Sequence, residues 1–179
     1  MTSTDTVTGP DTVTTPDTAA GTTGSEARTI ELLRRALLAL GALGVVGTAV
    51  ELAMLRHWKT GTQMIPWFIL ALVVISIGLI AVRPTRLTVR AAQALTVVIT
   101  LGGLFGMKEH VEANFNAGPL DRVYGPTWDS LSTTSQWWKA FTHTVGPSPT
   151  LAPGVLIQAA LCVALATLHH PALSRRQTA

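Results

Sequence analysis

Four long apolar stretches, separated by short polar connections, dominate the hydrophobic pattern of this chain. Each stretch has about the 17–25 residues that a helix needs to cross the hydrocarbon core of a bilayer. The pattern predicts helices at about 36–55, 64–82, 91–110 and 151–168. We therefore expect an all-α fold, a four-transmembrane-helix bundle.

The two ends of the chain differ from this apolar region. Residues 1–27 are rich in Thr, Asp and Pro, and a six-residue unit repeats there as DTVTGP and DTVTTP. Because this segment has almost no large apolar side chains to bury, we predict a disordered tail. Residues 28–173 would form the membrane domain, and residues 174–179 a short basic tail.

The longest polar connection, Val111–Thr150, lies between the third and fourth apolar stretches. Its segment STTSQWWKAFTHTV has a candidate N-cap at Thr134 or Ser135. A helix starting there would place four apolar side chains on one face: Trp137, Trp138, Phe141 and Val145. This pattern predicts a short amphipathic helix on the membrane surface.

Composition supports a lipid environment. Apolar residues make up 47% of the chain and charged residues only 13%, against about a quarter in soluble domains. The net charge is only +3, and the basic residues are not clustered in one part of the sequence, which argues against nucleic-acid binding. The single cysteine, Cys162, excludes a disulfide within the chain and a multi-cysteine zinc site.

Lysine and arginine positions predict the orientation of the helices. With the N-terminus inside, the inner segments carry eight basic residues and the outer segments five. The tryptophans and Tyr124 all fall on the outer side, where aromatic rings favour the lipid–water interface. We expect a multi-pass plasma-membrane protein with both termini in the cytoplasm.

Glu51 is the most deeply placed carboxylate of the apolar stretches. On a helix it shares a face with Gly44, Gly47 and Thr48, and small residues mark close helix packing in lipid. We therefore expect it to face the bundle. It would either remain a structural carboxyl or serve a ligand, a proton or a partner.

A second polar group, GMKEHVEANFNAG, follows the third apolar stretch. If the helix continues, His110 and Asn114 lie on the stripe of Gly103 and Gly106. Lys108 and Glu112 then form an i,i+4 pair on another face.

These positions define a candidate binding cluster at the outer mouth of the bundle, provided that the first, third and fourth helices meet there. Along the helices, Glu51 and His110 would differ in height by about 10 Å, which leaves their contact open. The candidate binding residues are Glu51, His57, His110, Asn114 and Gln158.

Several chemistries remain open at this cluster. A transition metal could use His57, His110 and Glu109, and a haem could use the two histidines as axial ligands. A proton or small-molecule pathway would use Glu51. Signatures of serine hydrolases, P-loops and dinucleotide-binding folds are absent, so we do not expect an enzyme.

Several short motifs occur in a characteristic order. IPW opens the second helix at Ile65–Trp67, G-x-x-x-H-x-E-x-N covers Gly106–Asn114, and P-x-L-A-P-G covers Pro149–Gly154, ahead of His170-Pro171. With Glu51 and the histidine that follows it, this order resembles small bacterial four-helix integral membrane proteins, and the Ala-, Arg- and Thr-rich usage resembles that of actinobacteria. The resemblance implies a fold and a membrane location, and no activity.

The expected function is that of a non-enzymatic binding or accessory subunit of a membrane complex. Its expected partners are the lipid bilayer and either a membrane protein or a second copy of the chain.

Overall fold

A computed structural model describes residues 18–174 of the chain, with side chains from Gly24 onward. The chain divides into two compact units, Met1–Leu32 and Leu33–Ala179. The described part of the first unit is helical. All side-chain contacts discussed below lie within the second unit.

The described residues form helices joined by turns and contain no strand. The helices are α1 (Thr18–Met54), α2 (Gly61–Val82), α3 (Arg86–Ala117), α4 (Thr133–Phe141), α5 (Gly154–Thr167) and α6 (Pro171–Ser174). Helices α1, α2 and α3 are long and apolar enough to cross a membrane, whereas α5 is a shorter apolar helix. The prediction of an all-helical fold is therefore confirmed for the described residues, and three of the four predicted helices have the length and apolar character that a membrane crossing needs.

Several helix boundaries differ from those predicted. Helix α1 begins at Thr18, so residues 18–27, which we assigned to the tail, are helical; residues 1–17 and 175–179 lie outside the described residues. Helix α3 continues beyond 110 to Ala117. Hydropathy detects only the apolar turns of a helix, so the polar turns at these ends were missed.

Local sequence determines where α2 and α3 begin. Thr60 caps α2 by accepting a hydrogen bond from the Gln63 amide, and Thr85 forms a capping box with Thr88 at the start of α3. Helix α5 begins at Gly154, later than predicted, because the preceding residues form a hydrogen-bonded turn. In that turn the Ala152 amide donates to the Pro149 carbonyl at 3.1 Å.

The core of the second unit lies among α2, α3 and α5. Val73, Ile99 and Val163, one from each helix, are completely buried. Helix α1 is more exposed: 11% of its most apolar window is buried, against 28% in both α2 and α3. Much of the apolar surface of α1 is therefore available to lipid or to another protein.

Residues 118–148 fold over the last turns of α3, and we call this segment the outer cap. Its small core contains Trp128, Ala140 and Val145. Phe115 of α3 packs edge-on against Trp128, with ring centroids 5.6 Å apart, and stacks on Trp137 at 4.4 Å. The cap is thus built on the part of α3 that continues past its apolar stretch.

The short helix predicted in this connection is present as α4. Its N-cap is Ser132 rather than Thr134 or Ser135. Trp138 and Phe141 are exposed on it. Val145, which we placed on the same exposed face, lies beyond the helix and is buried in the cap; that assignment was wrong because the helix ends at Phe141.

At the opposite end of the unit, Arg34 of α1 binds the end of α5. Its Nε donates to the Ala166 carbonyl at 3.1 Å, and its Nη2 donates to the His169 carbonyl at 3.2 Å. Gln93 of α3 donates to the Thr167 carbonyl at 3.4 Å. Arg34 thus pairs with the Ala166 carbonyl near the end of the helix, and the Thr167 carbonyl accepts from the His170 amide as well as from Gln93.

Candidate ligand-binding site

A cavity of about 250 Å³ lies where the end of α1, the start of α2, the later turns of α3 and the segment leading into α5 meet. Its deeper wall is apolar and includes the buried side chains of Leu52, Ile69 and Leu156. Its polar lining residues are Thr48, Glu51, His57, Thr62, Gln63, Glu109, His110 and Ser148. The cavity therefore combines an apolar interior with polar groups from several helix ends.

Three of the predicted site residues, Glu51, His57 and His110, line this one cavity together with Glu109. We had expected Glu51 and His110 to differ in height. The cavity accommodates both because its lining runs along the last turns of α1, from Thr48 to Leu52, and continues into the following turn at Leu55 and His57.

His110 is held by the segment that leads into α5. Its Nδ1 lies 2.9 Å from the Pro149 carbonyl oxygen. Because a carbonyl can only accept, this bond requires the proton on Nδ1. In the neutral ring Nε2 is then a free acceptor, so a bound molecule meets an imidazole of defined tautomer.

His57 lies in the turn between α1 and α2 and is partly buried. Burial lowers the pKa of its imidazole, and the charge of protonated His110 lowers it further. The His57 carbonyl also accepts a 2.8 Å hydrogen bond from Nε1 of Trp67. This bond ties the turn to α2.

The two cavity carboxylates have different surroundings. Within the described part of the chain, Glu51 has no hydrogen-bond or ion-pair partner. Glu109 lies 3.4 Å from Nζ of Lys108, which makes a shorter contact of 2.7 Å with Glu112. The predicted pair of Lys108 and Glu112 is therefore present. Glu109 shares the Lys108 ammonium with Glu112, and Glu51 is the cavity carboxylate without a partner.

Asn114 does not line the cavity but fixes part of its wall. Its completely buried amide donates to the Ser148 carbonyl at 2.7 Å and to the Ala140 carbonyl at 3.2 Å. Its Oδ1 accepts from the Ser148 amide at 2.8 Å. These bonds hold the segment Ser148–Pro149 against α3. His110 binds the same segment through the Pro149 carbonyl.

Gln158 lies apart from the other predicted site residues. It is exposed on α5 and is not part of the cavity lining. The next two residues, Ala159 and Ala160, are buried instead. The face of α5 that packs against the core is therefore apolar at this level.

Sequence reasoning missed Gln63, Ser148 and Pro149 as contributors to the site. Gln63 lines the cavity, and its Oε1 accepts from the Lys59 amide at 2.8 Å. It lies just before an apolar stretch, where a glutamine is unremarkable. Pro149 contributes through its backbone, which has no side-chain signature; the only available signal was the P-x-L-A-P-G motif.

No group of three or more His, Cys, Asp or Glu side chains that could hold a metal ion is present in residues 24–174. The metal candidates His57, His110 and Glu109 share the cavity without forming such a set. The arrangement offers hydrogen-bond acceptors and negative charge to a small guest rather than a closed coordination sphere.

Comparisons with protein-family models, curated proteins and solved structures found no match to this chain.

Proposed function

We propose that this chain is a multi-pass plasma-membrane protein that binds a small amphipathic molecule in the cavity formed by Glu51, His57, Glu109 and His110. It acts as a non-catalytic binding or accessory subunit. Four segments cross the membrane, both termini lie in the cytoplasm, and the cavity opens on the outer side.

The surroundings of α5 support a fourth crossing despite its length. Its fourteen residues extend about 21 Å, less than the roughly 30 Å of a hydrocarbon core. The chain at its start forms turns, and the carbonyls at its end bind Arg34 and Gln93. Such pairing is what non-helical backbone requires at membrane depth.

The same contacts support an even number of crossings. Arg34, at the start of the apolar part of α1, binds the end of α5. The end of α1 and the chain before α5 meet instead at the cavity. The two ends of the membrane region thus share one side, and the basic residues favour the cytoplasm for it.

The observation that carries the binding function is the cavity itself. Small-molecule sites are concave, mainly apolar and furnished with a few polar groups that fix orientation, with volumes of about 300–1,000 Å³. This cavity has that composition and lies just below that range. It therefore suits a guest of about ten non-hydrogen atoms, which is smaller than most drug-like ligands.

The exposed face of α1 supports an accessory role. Leu43, Val46 and Val50 are each more than half exposed on it. Lipid would cover this surface in the isolated protein, and a helix of a membrane partner or a second copy would replace lipid in a complex.

Binding of 1-octanol tests the proposal with a neutral amphiphile. We expect saturable binding by titration calorimetry of the protein in phosphatidylcholine nanodiscs, after subtraction of empty nanodiscs. Ala113→Phe, at the cavity wall, should abolish that binding, whereas the control Ala71→Phe, on an exposed part of α2, should preserve it. Non-saturable uptake, or equal binding by both variants, would refute the proposal.

A metal- or haem-binding redox protein is the second candidate. One observation favours it: histidine ligands commonly donate their second ring N–H to a carbonyl, as His110 does to Pro149. His57 lines the same cavity. Visible absorption and metal analysis of the purified protein test this candidate, which requires a Soret band or a stoichiometric metal that His110→Ala removes.

A further inference from the structure

We infer that the cavity is selective for a small organic cation with an apolar body, of the alkylammonium class. This inference rests on the proposed binding function and specifies the chemistry of its ligand. Two observations support it: the charges of the side chains that line the cavity, and the hydrogen bonds and ion pairs that those side chains already make within the protein.

Negative charge predominates in the lining. Glu51 and Glu109 contribute two carboxylates, and none of the described lining residues is a lysine or an arginine. Glu51 has no partner in the described part of the chain, so its carboxylate is free to bind a guest. An ammonium group would complement both charges.

The neighbouring basic residues do not cancel this charge. Lys108 pairs with Glu109 at 3.4 Å, but it makes a shorter ion pair of 2.7 Å with Glu112 outside the cavity, so Glu109 shares this cation and Glu51 receives none of it. Arg56 and Lys59 belong to the exposed turn between α1 and α2, but neither lines the cavity. The basic residues are thus close to the lining residues in sequence, but they are not part of the cavity wall that the guest would contact.

In their neutral forms the two histidines add hydrogen-bond acceptors to the lining. In neutral His110 the proton is on Nδ1, so Nε2 can accept an N–H from the guest. The buried setting of His57 also favours its neutral form. An ammonium group, which has only donors, therefore matches this wall better than a carboxylate, which has only acceptors.

The deeper wall fits the apolar body of such a cation. Leu52, Ile69 and Leu156 are buried there. Phe105 also lines the cavity and offers a ring to which a cation or an alkyl chain can bind. A guest with a charged head and a short chain would satisfy both parts at once.

A matched series of octylammonium, 1-octanol and octanoate tests the charge preference. Titration calorimetry in phosphatidylcholine nanodiscs at pH 7.5, corrected with empty nanodiscs, should show octylammonium binding about tenfold more tightly than octanol. Octanoate should bind most weakly. Glu51→Gln and Glu109→Gln should each reduce the preference for octylammonium over octanol. Asp129→Asn, at an exposed carboxylate of the outer cap that does not line the cavity, is the control and should retain it.

The outcomes separate the two proposals. If octanol and octylammonium bind equally and Ala113→Phe blocks both, the charge selectivity is refuted and the binding function stands. If none of the three compounds binds saturably, both fail. A preference for octylammonium that survives the Glu51→Gln, Glu109→Gln double substitution would also overturn the inference, because the selectivity would arise elsewhere.

Discussion

Asn114 and Ser148 bind each other in both directions, side chain to backbone. The Ser148 amide donates to Asn114 Oδ1 at 2.8 Å, and Asn114 Nδ2 donates to the Ser148 carbonyl at 2.7 Å. This pair joins the last turns of α3 to the chain that leads into α5. One residue further on, Pro149 binds His110, so the pair also supports a wall of the cavity.

Asn114→Ala should therefore destabilise the protein. The substitution leaves the Ser148 amide and the Ser148 carbonyl without their partner, whereas the Ala140 carbonyl keeps the His143 amide at 3.3 Å. Unsatisfied groups of this kind cost about 1–3 kcal/mol each. We expect a loss of about 2–4 kcal/mol in the free energy of unfolding, measured by denaturation in detergent. Asn116→Ala, at an exposed position two residues later, is the control and should change little; equal effects would contradict the structural role of Asn114.

The sequence predicted this part of the structure well because α3 continues in register. The stripe of Gly103, Gly106, His110 and Asn114 was deduced from helical spacing alone. In the structure all four contact the chain between Ser148 and Ile157. Periodicity locates a face reliably wherever the helix is regular.

Helical periodicity does not predict the role of each residue on that face. Asn114 was a candidate binding residue, yet its amide is fully used by backbone groups of the outer cap, 26 and 34 residues away in sequence. Gln158 was placed in the cluster, but its exposure depends on which face of α5 packs against α3, and an almost uniformly apolar helix does not reveal that. Both outcomes depend on tertiary packing.

Gly118 lies at the start of the outer cap, against the ring of Trp128. A Cβ added there would overlap the ring atoms of this buried tryptophan. We expect Gly118→Ala to lower the free energy of unfolding by about 1–3 kcal/mol, as overpacking usually does. Gly47→Ala is the matched control, because nothing lies within 4 Å of its added Cβ and alanine favours a helix interior; it should be neutral or stabilising.

The fluorescence of the cap distinguishes a local from a global effect of Gly118→Ala. Trp128 is buried while Trp138 is exposed, so displacement of the Trp128 ring should shift the emission toward longer wavelength. Unchanged emission together with unchanged stability would show that the cap tolerates a methyl group at this position.

Arg34→Ala should weaken the attachment of α1 to α5. The substitution removes hydrogen bonds from a charged donor to the carbonyls of Ala166 and His169, and bonds of this type contribute about 1.5–3 kcal/mol. We expect a loss of that size in detergent, with partial recovery in Arg34→Lys because lysine keeps the charge without the forked geometry. Arg90→Ala, on the exposed surface of α3, is the control; the same loss there would indicate a general effect of charge.

Stability should fall as the pH drops below about 6.5, the ordinary pKa of histidine. Burial and the charge of His110 lower the pKa of His57, so below this pH the unfolded chain binds a proton more readily than the folded one. The other titratable groups in the lining are Glu51 and Glu109 on α1 and α3, together with His110. The interval from pH 7.5 to 5.5 brackets the ordinary histidine pKa and is therefore the range in which His57 should change stability.

His57→Gln should reduce this pH dependence, which thermal unfolding at pH 7.5 and pH 5.5 measures. His143→Asn is the control: His143 is exposed in the cap with a backbone φ of 55°, a conformation that asparagine tolerates. An undiminished pH dependence in His57→Gln would assign the effect to other groups.

The proposed orientation predicts which connections can be labelled from outside the cell. Cys162 is the only cysteine and is buried, so Cys162→Ala provides a background without reactive thiols. In that background, Thr133→Cys on the outer cap and Pro84→Cys between α2 and α3 place single thiols at exposed positions on opposite ends of the bundle. A membrane-impermeant maleimide should label Thr133→Cys on intact cells and Pro84→Cys only after permeabilisation. The reverse pattern would place the cavity on the cytoplasmic side, and labelling of both positions in intact cells would rule out a membrane crossing by α3 between them.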